Sequence, residues 1–341
     1  EDPGAALGQL DEAIEVSLEG RPGATVLLLP RDILLSELPY GCESRAIDPR
    51  GGLGEVAFDR VRTLASMLRE AKRPTLIIGH GACRSPRRDR IVAFAERYGI
   101  PAVVTLSGKG AFPNRHPLCR GVLGASGHPG AVQAIEEADV VVLVGASLNM
   151  MTRTVLGDLL EAKQVAYVNV DEDYVDRILT TRLKVLGDAG DVFSRLLETD
   201  CGPMDVPGRP PELNDMAPAF IPVDFGKTGE LLSVSGCLTM YESMEVLREV
   251  LPRNSHLLID AGNTGATACH LLPCPDEGSF VTALGMGGMG WAVAGTVGAA
   301  LGGPDQEPRL TVAVVGDVAH LMNGSENNTI VEYQLPVVLV V

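Results

Sequence analysis

The stretch Gly316-Asp317-Val318-Ala319-His320-Leu321-Met322-Asn323-Gly324 decides the fold class of this chain. It follows the apolar run of residues 310–315 and precedes a segment with helical spacing, so Asp317 lies where a buried strand ends. In an open α/β sheet, ligands bind at that edge because the carboxyl ends of strands meet the amino ends of helices there. The stretch therefore predicts an α/β fold with a ligand site at Asp317.

The residues around this stretch alternate regularly between strand and helix patterns. Helices are predicted at residues 240–251, 264–271, 290–301 and 321–333, and strands at residues 256–260, 279–282, 310–315 and 335–341. Continuously apolar strands that alternate with helices indicate a parallel sheet covered on both faces. Residues 236–341 are therefore predicted to form one doubly wound domain.

Residues 56–200 predict a second doubly wound parallel-sheet domain, upstream of the first. Helices are expected at residues 57–71, 86–98, 129–137 and 154–162, and strands at residues 74–78, 102–105, 140–144 and 165–170. The proline-rich residues 201–235 predict a linker between the two domains. Residues 1–40, with a helix at 6–19 and a strand at 24–30, are interpreted as the tail of a third domain.

The composition restricts the classes of partner. The chain carries 44 acidic and 28 basic residues, and its formal net charge of −16 argues against nucleic acid and anionic membranes as partners. No apolar run reaches the length of a membrane span. The seven cysteines show neither CxxC nor zinc-ligand spacing, so they predict reduced thiols in a cytoplasmic protein.

Two glycine-rich segments in the C-terminal half are candidates for ligand contact. The first runs from Asp260 to Ala266, and the amide groups of its Gly262 and Asn263 with the hydroxyl of Thr264 are suited to a phosphate oxygen. An ordinary glycine-rich turn between strand and helix is the alternative. The second, residues 285–290, has four glycines in six residues and permits close approach of another molecule. Tight packing of the helix at residues 290–301 on the sheet is a structural explanation that applies alongside ligand contact.

These three segments together resemble the diphosphate-binding half of thiamine diphosphate enzymes. The resemblance implies that Asp317 is a carboxylate ligand of Mg²⁺ and that the Ala319 amide binds the diphosphate. It implies that Met289 wedges between the two rings of the cofactor, a task that suits a polarizable thioether. The remaining cofactor contacts that it implies are Gly262, Asn263, Thr264, Gly287, Gly288, Gly316, Val318 and His320.

The chain departs from the family pattern at Val318, and the role of His320 has two interpretations. Val318 stands where the family usually has a smaller residue, although Ala also occurs there. His320 is interpreted either as a proton donor or diphosphate contact, or as a helix residue without a catalytic part; we favour the second. The resemblance places the second side-chain ligand of Mg²⁺ and the catalytic glutamate outside residues 1–341.

The upstream half also resembles this family. The segments 73–81, 106–113, 116–117 and 121–124 match the central domain of thiamine diphosphate enzymes in order and spacing, and residues 20–33 are similar to the end of their pyrimidine-binding domain. In some relatives the central domain binds FAD or ADP through a turn like that at Gly145 and an acid like Asp171. The turn here lacks the acidic-arginine segment of the flavin-binding members, so FAD is disfavoured.

The resemblance implies an acetolactate synthase-like enzyme that decarboxylates a 2-oxoacid and joins the product to a second carbonyl compound. It implies thiamine diphosphate and Mg²⁺ as cofactors and a homodimer or homotetramer with closed symmetry. A simple 2-oxoacid decarboxylase, an acyl transferase and a non-catalytic homologue of the same fold stay open as alternatives. A nicotinamide-dependent dehydrogenase ranks behind these, because no GxGxxG motif follows a predicted strand.

Overall fold

The computed structural model describes residues 3–37, 56–156, 158–172, 179–199, 238–275, 279–283, 287–302 and 309–341. Within these residues the chain forms two parallel β-sheets, one of six strands and one of four, with helices in the connections. The predicted α/β class with two parallel-sheet domains is therefore confirmed. No helix in the described ranges is long and apolar enough to span a membrane.

The N-terminal segment contains two helices, α1 (Pro3–Leu18) and α2 (Arg31–Leu34). The predicted strand at residues 24–30 was wrong, because these residues form neither a strand nor a bridge. Strands need a neighbouring ladder for their amide and carbonyl groups, and no described strand pairs with this segment. Val26 and Leu28 are accordingly 83% and 84% exposed.

The six-stranded sheet has the order β3-β2-β1-β4-β5-β6, and all its strand pairs are parallel. The strands are β1 (Pro74–Ile78), β2 (Ala102–Thr105), β3 (Cys119–Leu123), β4 (Val140–Val144), β5 (Gln164–Asn169) and β6 (Leu183–Leu186). The helices are α3 (Phe58–Glu70), α4 (His80–Arg84), α5 (Asp89–Tyr98), α6 (Pro129–Glu137), α7 (Met150–Leu156) and α8 (Ala189–Glu198). Alternate strand residues enter two separate core clusters, because successive side chains point to opposite faces of a sheet.

The four-stranded sheet has the order β10-β9-β7-β8 and is also parallel throughout. Its strands are β7 (His256–Ile259), β8 (Ser279–Thr282), β9 (Thr311–Val314) and β10 (Val337–Val340). Its helices are α9 (Met240–Val250), α10 (Gly262–Leu271), α11 (Trp291–Leu301), α12 (Asp317–Met322) and α13 (Glu326–Glu332). Because the strands are parallel, the segments that follow β7, β8 and β9 start from the same edge of the sheet.

The strand and helix predictions were right for most long apolar segments and incomplete elsewhere. Strands β3 and β6 and helices α2, α4 and α8 were missed. The helix predicted at residues 154–162 was misplaced, because α7 begins at Met150 and ends at Leu156. Both strands lie at the edges of the sheet and are interrupted by polar residues, so they lack a continuous apolar run. The single helix predicted at residues 321–333 is two helices, α12 and α13, separated at Gly324. The predicted linker at residues 201–235 lies outside the described residues.

The two sheet-containing parts contact each other through α10. A 3₁₀ helix, Leu106–Ala111, follows β2 and carries Lys109, whose Nζ donates to the carbonyl oxygens of Cys269 and Leu272 at the end of α10. Nearby, the ring of His270 stacks on that of His128 with centroids 4.4 Å apart. The C-terminal end of α10 is thus attached to the upstream part of the chain, while its N-terminal end lies at the edge of the second sheet.

Candidate functional site

The three segments singled out in the sequence meet at the carboxyl edge of the four-stranded sheet. A Cβ atom placed on Gly290 would lie 2.8 Å from the carbonyl oxygen of Ala319 and 2.8 Å from Nδ2 of Asn323. A Cβ atom on Gly316 would lie 4.0 Å from Oγ1 of Thr264. The turn after β7, the glycine loop before α11 and the start of α12 are therefore direct neighbours.

The first wall of this site is the N-terminal turn of α10. The N-cap residue Ala261 provides no side-chain hydrogen bond to the helix, and Gly262 and Asn263 are exposed. Gly262 has φ +90°, and a Cβ atom there would have no heavy atom of the described residues within 4 Å. Uncapped amide groups at a helix N-terminus carry partial positive charge and bind anions. With open space in front, this turn fits a phosphate group.

The second wall is the glycine loop. Gly287 has φ +65°, and within the described ranges neither it nor Gly288 has a heavy atom within 4 Å of its Cβ position, so residues 287–288 of the loop face open space on the described side. Met289 is 46% exposed beside it. Gly290, with φ +85°, is the N-cap of α11 and is buried against α12. The thioether of Met289 is consequently free to contact a molecule that enters from the open side.

The third wall is the start of α12. Asp317 is the first residue of this helix and is exposed, Val318 is 53% exposed, and Ala319 is buried. The described residues contain no group of three or more His, Cys, Asp or Glu side chains able to hold a metal ion. Mg²⁺ bound to phosphates takes only one or two protein carboxylates and fills its other positions with phosphate and water oxygens. A lone exposed Asp317 beside two anion-accepting turns fits that type of ion.

His320 lies on the same short helix and contacts α13. Its amide group donates to the carbonyl oxygen of Gly316 at 2.8 Å, and its Nε2 is 3.5 Å from Nδ2 of Asn327. Its Nδ1 is buried without a hydrogen-bond partner among the described residues. These contacts hold the imidazole against the helix pair, which suits the interpretation of His320 as a helix residue.

Asp260 is a site residue whose role the sequence patterns did not reveal. Its side chain is completely buried, and Oδ1 accepts hydrogen bonds from the amide groups of Ala261 and Gly290 at 2.8 and 3.0 Å. Oδ2 accepts from the amide group of Ala292 at 2.9 Å. The only signal in the sequence was a carboxylate at the end of an apolar strand, which by itself does not show which amide groups it binds.

Behind the site, the attachment of α10 concentrates buried ionisable groups. Lys109 is 2% exposed, and burial lowers the pKa of its amine to about 8. Burial, followed by repulsion from His270, lowers the pKa of His128 to about 3. Asn114 completes the attachment, since its Oδ1 accepts from the amide group of Cys274 at 2.7 Å. These groups fix the helix whose other end forms the first wall of the site.

The turn at Gly145 in the six-stranded part is closely packed. A Cβ atom on Gly79 would lie 2.4 Å from Cα of Ala146, and one on Gly145 would lie 2.5 Å from the amide nitrogen of Ala82. Gly145 also has φ +57°. Backbone packing is therefore enough to explain the glycines of these two turns, and they are not by themselves a sign of dinucleotide binding. The expectation that FAD is disfavoured stays a prediction.

Comparison with known proteins connects this site to described families. Residues 61–196 match the family model for the thiamine pyrophosphate enzyme, central domain. Residues 260–341 match the family model for the thiamine pyrophosphate enzyme, C-terminal TPP binding domain. The second match contains all three walls of the site. Thiamine pyrophosphate and thiamine diphosphate are two names of one cofactor.

Several curated proteins are similar along nearly the whole chain. The acetolactate synthase large subunit of Cyanidium caldarium is 26% identical over 335 residues, which cover 96% of this chain and 56% of that protein. The 2-hydroxyacyl-CoA lyase 1 of Mus musculus is 31% identical over 353 residues, which cover 97% of this chain and 57% of that protein. The chain thus spans little more than half the length of these relatives.

A solved structure shares the fold. The X-ray structure of a putative thiamin diphosphate-dependent enzyme from Mycobacterium smegmatis superimposes with a TM-score of 0.75 at 24% identity. The match covers 99% of this chain and 62% of that one. The order and packing of the two parallel sheets are therefore an arrangement already seen in a solved protein.

Proposed function

Because this chain belongs to the thiamine pyrophosphate enzyme family, we propose that its C-terminal sheet edge binds thiamine diphosphate with Mg²⁺. The observation that carries the proposal is the contact of three separate segments, with Gly290 against Ala319 and Gly316 facing Thr264. In this proposal the amide groups of α10 and of the start of α12 donate hydrogen bonds to the diphosphate. Asp317 supplies the protein carboxylate for the metal ion, and Met289 contacts the cofactor rings.

The proposed reaction is decarboxylation of a 2-oxoacid followed by carboligation to a second carbonyl compound, as in acetolactate synthases. Four acetolactate synthase large subunits match 94–100% of this chain at 26–28% identity, which supports this reaction class. Bound thiamine diphosphate supplies an electron sink for breaking a carbon–carbon bond beside a carbonyl group. In this proposal the residues of this chain bind and orient the diphosphate.

The first experiment is a calorimetric titration of the full-length protein with thiamine diphosphate, with and without Mg²⁺, repeated on Asp317→Ala. We expect binding that requires Mg²⁺ and is lost in the variant. Asp89→Ala is the matched control, because Asp89 is also the exposed first residue of a helix but lies in the six-stranded part. If the folded wild-type protein does not bind the cofactor, the proposal is wrong and a non-catalytic homologue is the better description.

A second candidate reaction is supported by one comparison. The 2-hydroxyacyl-CoA lyase 1 of Mus musculus is 31% identical to this chain, above the identity of the acetolactate synthases. Incubation with a 2-oxoacid alone, with a 2-oxoacid and an aldehyde, and with a 2-hydroxyacyl-CoA separates the candidates. A new carbon–carbon bond supports carboligation, release of an aldehyde from the oxoacid alone supports a simple decarboxylase, and cleavage of the thioester substrate supports the lyase.

The proposed assembly is a homodimer or homotetramer in the cytoplasm. Large apolar side chains are exposed on the two helices beside the site, with Leu321 at 78% and Val331 at 76%, and a second subunit would cover them. The four cysteines within the described ranges are free thiols, in agreement with a reducing compartment. Light scattering of the purified protein tests the assembly, and a monomer would contradict it.

A further inference from the structure

Asp260 is a buried carboxylate that accepts hydrogen bonds from main-chain amide groups. A buried charge is costly unless several hydrogen bonds satisfy it. Its side chain accepts three, from Ala261 at 2.8 Å, Gly290 at 3.0 Å and Ala292 at 2.9 Å. Two of these donors lie 30 and 32 residues further along the chain, so the carboxylate joins the end of β7 to the beginning of α11.

The amide groups of Gly290 and Ala292 belong to the N-terminal turn of α11, where the helix itself offers no acceptors. The N-cap residue of this helix is Gly290, which has no side chain to provide a cap. Asp260 therefore caps α11 from another element of the fold, and its negative charge is favourable at the positive end of the helix dipole.

The backbone of Asp260 is itself held in place. Its amide group donates to the carbonyl oxygen of Val314 in β9 at 3.0 Å. Its carbonyl oxygen lies so close to Gly265 of α10 that a Cβ atom there would be 1.8 Å away. A carboxylate on such a rigid backbone gives the glycine loop a fixed end point at Gly290, whereas Gly287 and Gly288 have no neighbour among the described residues within 4 Å of their Cβ positions.

We propose that Asp260 is a positioning residue that fixes the glycine loop, and through it Met289, for thiamine diphosphate. The proposal rests on the proposed function of the same site. Asp260 is fully buried and acts through Gly290 and Ala292, so it is not a catalytic residue. Without it, the loop would lose its fixed end, and Met289 would sample several positions in front of the cofactor.

The first test is Asp260→Asn, which keeps the shape of the side chain but replaces one acceptor oxygen with an NH₂ donor. Either orientation of the amide then sets a donor against at least one of the two helix amide groups. We expect thiamine diphosphate to bind about tenfold to a hundredfold more weakly, because one buried amide group loses its acceptor. Calorimetric titration with thiamine diphosphate and Mg²⁺ measures the change.

A second readout needs no cofactor. Trp291 is the only tryptophan of the chain and directly follows Gly290, so its fluorescence reports on the end of the glycine loop. We expect Asp260→Asn to shift its emission to longer wavelength in the cofactor-free protein. Asp188→Asn is the matched control, since Asp188 caps α8 by accepting from the amide group of Asp191 at 3.1 Å. It should lower thermal stability without changing Trp291 emission or cofactor affinity.

A measurement on the wild type covers the case in which the variant does not fold. Amide groups in the first turn of a helix normally exchange with solvent quickly. The Ala292 amide should instead be protected, in contrast to the uncapped amides of Gly262 and Asn263 in the same turn of α10. Hydrogen exchange resolved to single residues, with no cofactor present, tests this difference.

The outcomes separate this inference from the proposed function. If the wild type binds the cofactor and a folded Asp260→Asn binds equally with unchanged Trp291 emission, the positioning role is refuted. Rapid exchange of the Ala292 amide in the wild type refutes it as well. If the wild type does not bind thiamine diphosphate at all, the proposed function fails, whereas the emission and exchange results still decide whether Asp260 fixes the loop.

Discussion

Replacing Lys109 with Met tests whether a buried amine fixes the helix that carries the phosphate-facing turn. In the wild type, Nζ of Lys109 donates to the carbonyl oxygens of Cys269 and Leu272 and lies 4.6 Å from the centre of the Phe280 ring. Methionine has nearly the same length and volume but no donor. Lys109→Met therefore leaves both carbonyl groups of α10 without their partner and changes the packing little.

The magnitude follows from two opposing contributions. Two charge-assisted hydrogen bonds stabilise the fold by about 1.5–3 kcal/mol each. Burial, which lowers the pKa of Lys109 from 10.5 to about 8, costs about 3 kcal/mol while the amine is protonated in both states. The variant should therefore be less stable than the wild type by up to about 3 kcal/mol at pH 7.

The pH dependence has a definite sign. Below pH 8 the folded and unfolded states both hold the proton, so the stability difference between the two proteins is constant. Between about pH 8 and 10.5 the folded wild type releases the proton that its unfolded chain retains, which raises wild-type stability relative to the variant. From pH 7 to 9.5 the difference should grow by about 2 kcal/mol. The buried thiols of Cys119 and Cys269, whose pKa values burial raises to about 11, are present in both proteins.

Urea unfolding of the full-length proteins, followed by circular dichroism at half-unit steps from pH 7 to 9.5, measures this difference. The rate of alkylation of Cys269, which is 1% exposed, reports separately on detachment of α10 and should rise in Lys109→Met. Lys163→Met is the control, because Lys163 donates to the carbonyl oxygen of Glu136 within the six-stranded part and should leave Cys269 protected. A stability difference that is flat or falls between pH 8 and 9.5 would refute the reasoning.

Three further predictions concern the site and its support. Val318→Ala should tighten binding of thiamine diphosphate about threefold to tenfold, because the branched side chain at the start of α12 is 53% exposed beside the proposed diphosphate position. Titration calorimetry measures the affinity, and weaker binding in the variant would contradict the prediction. Gly290→Ala should lower the free energy of unfolding by about 2–4 kcal/mol, since φ is +85° and the new Cβ would lie 2.8 Å from the Ala319 carbonyl oxygen. Urea unfolding measures the change, and a loss of less than about 1 kcal/mol would contradict the prediction. The wild type should lose up to about 4 kcal/mol of stability between pH 6.5 and 3 that His128→Asn does not lose, because the folded pKa of His128 is about 3 and only the unfolded chain takes up the proton as pH falls. Asn keeps an acceptor for the Val122 amide. Parallel acid unfolding curves for the two proteins would show this explanation to be wrong.

The sequence was sufficient to predict the fold class, and it singled out three segments that the structure brings together, because both depend on local patterns. Apolar runs such as residues 140–144 can be buried on both faces only in a parallel sheet covered by helices, and this strand was predicted with its observed bounds. Turns after parallel strands must emerge at one edge, and the segments at Gly262, Gly287 and Asp317 each follow such a strand. Edge strands such as β3 escaped prediction, since an exposed edge tolerates Arg120 within the strand.

The contacts that join distant parts of the chain could not be predicted. Lys109 was one residue of the matched segment 106–113, and only the fold shows its amine against carbonyl groups 160 and 163 residues away. Asp260 was visible as the start of a glycine-rich turn, but its two oxygens bind amide groups 30 and 32 residues downstream. No short-range periodicity encodes such pairings, because they depend on how whole elements pack and not on the spacing within one element.

Helix α10 connects these two unpredicted contacts. Its first turn lies beside the carbonyl group of Asp260, which packs on Gly265, and its last turn is held by Lys109 from the six-stranded part. A rigid helix of ten residues spans about 15 Å, so its two ends cannot shift independently while its hydrogen bonds stay intact. A part of the chain that supplies none of the proposed cofactor contacts therefore restricts where the phosphate-facing turn can lie. The buried lysine therefore has a role although it lies far from the site, because its hydrogen bonds limit the movement of α10 against the second sheet.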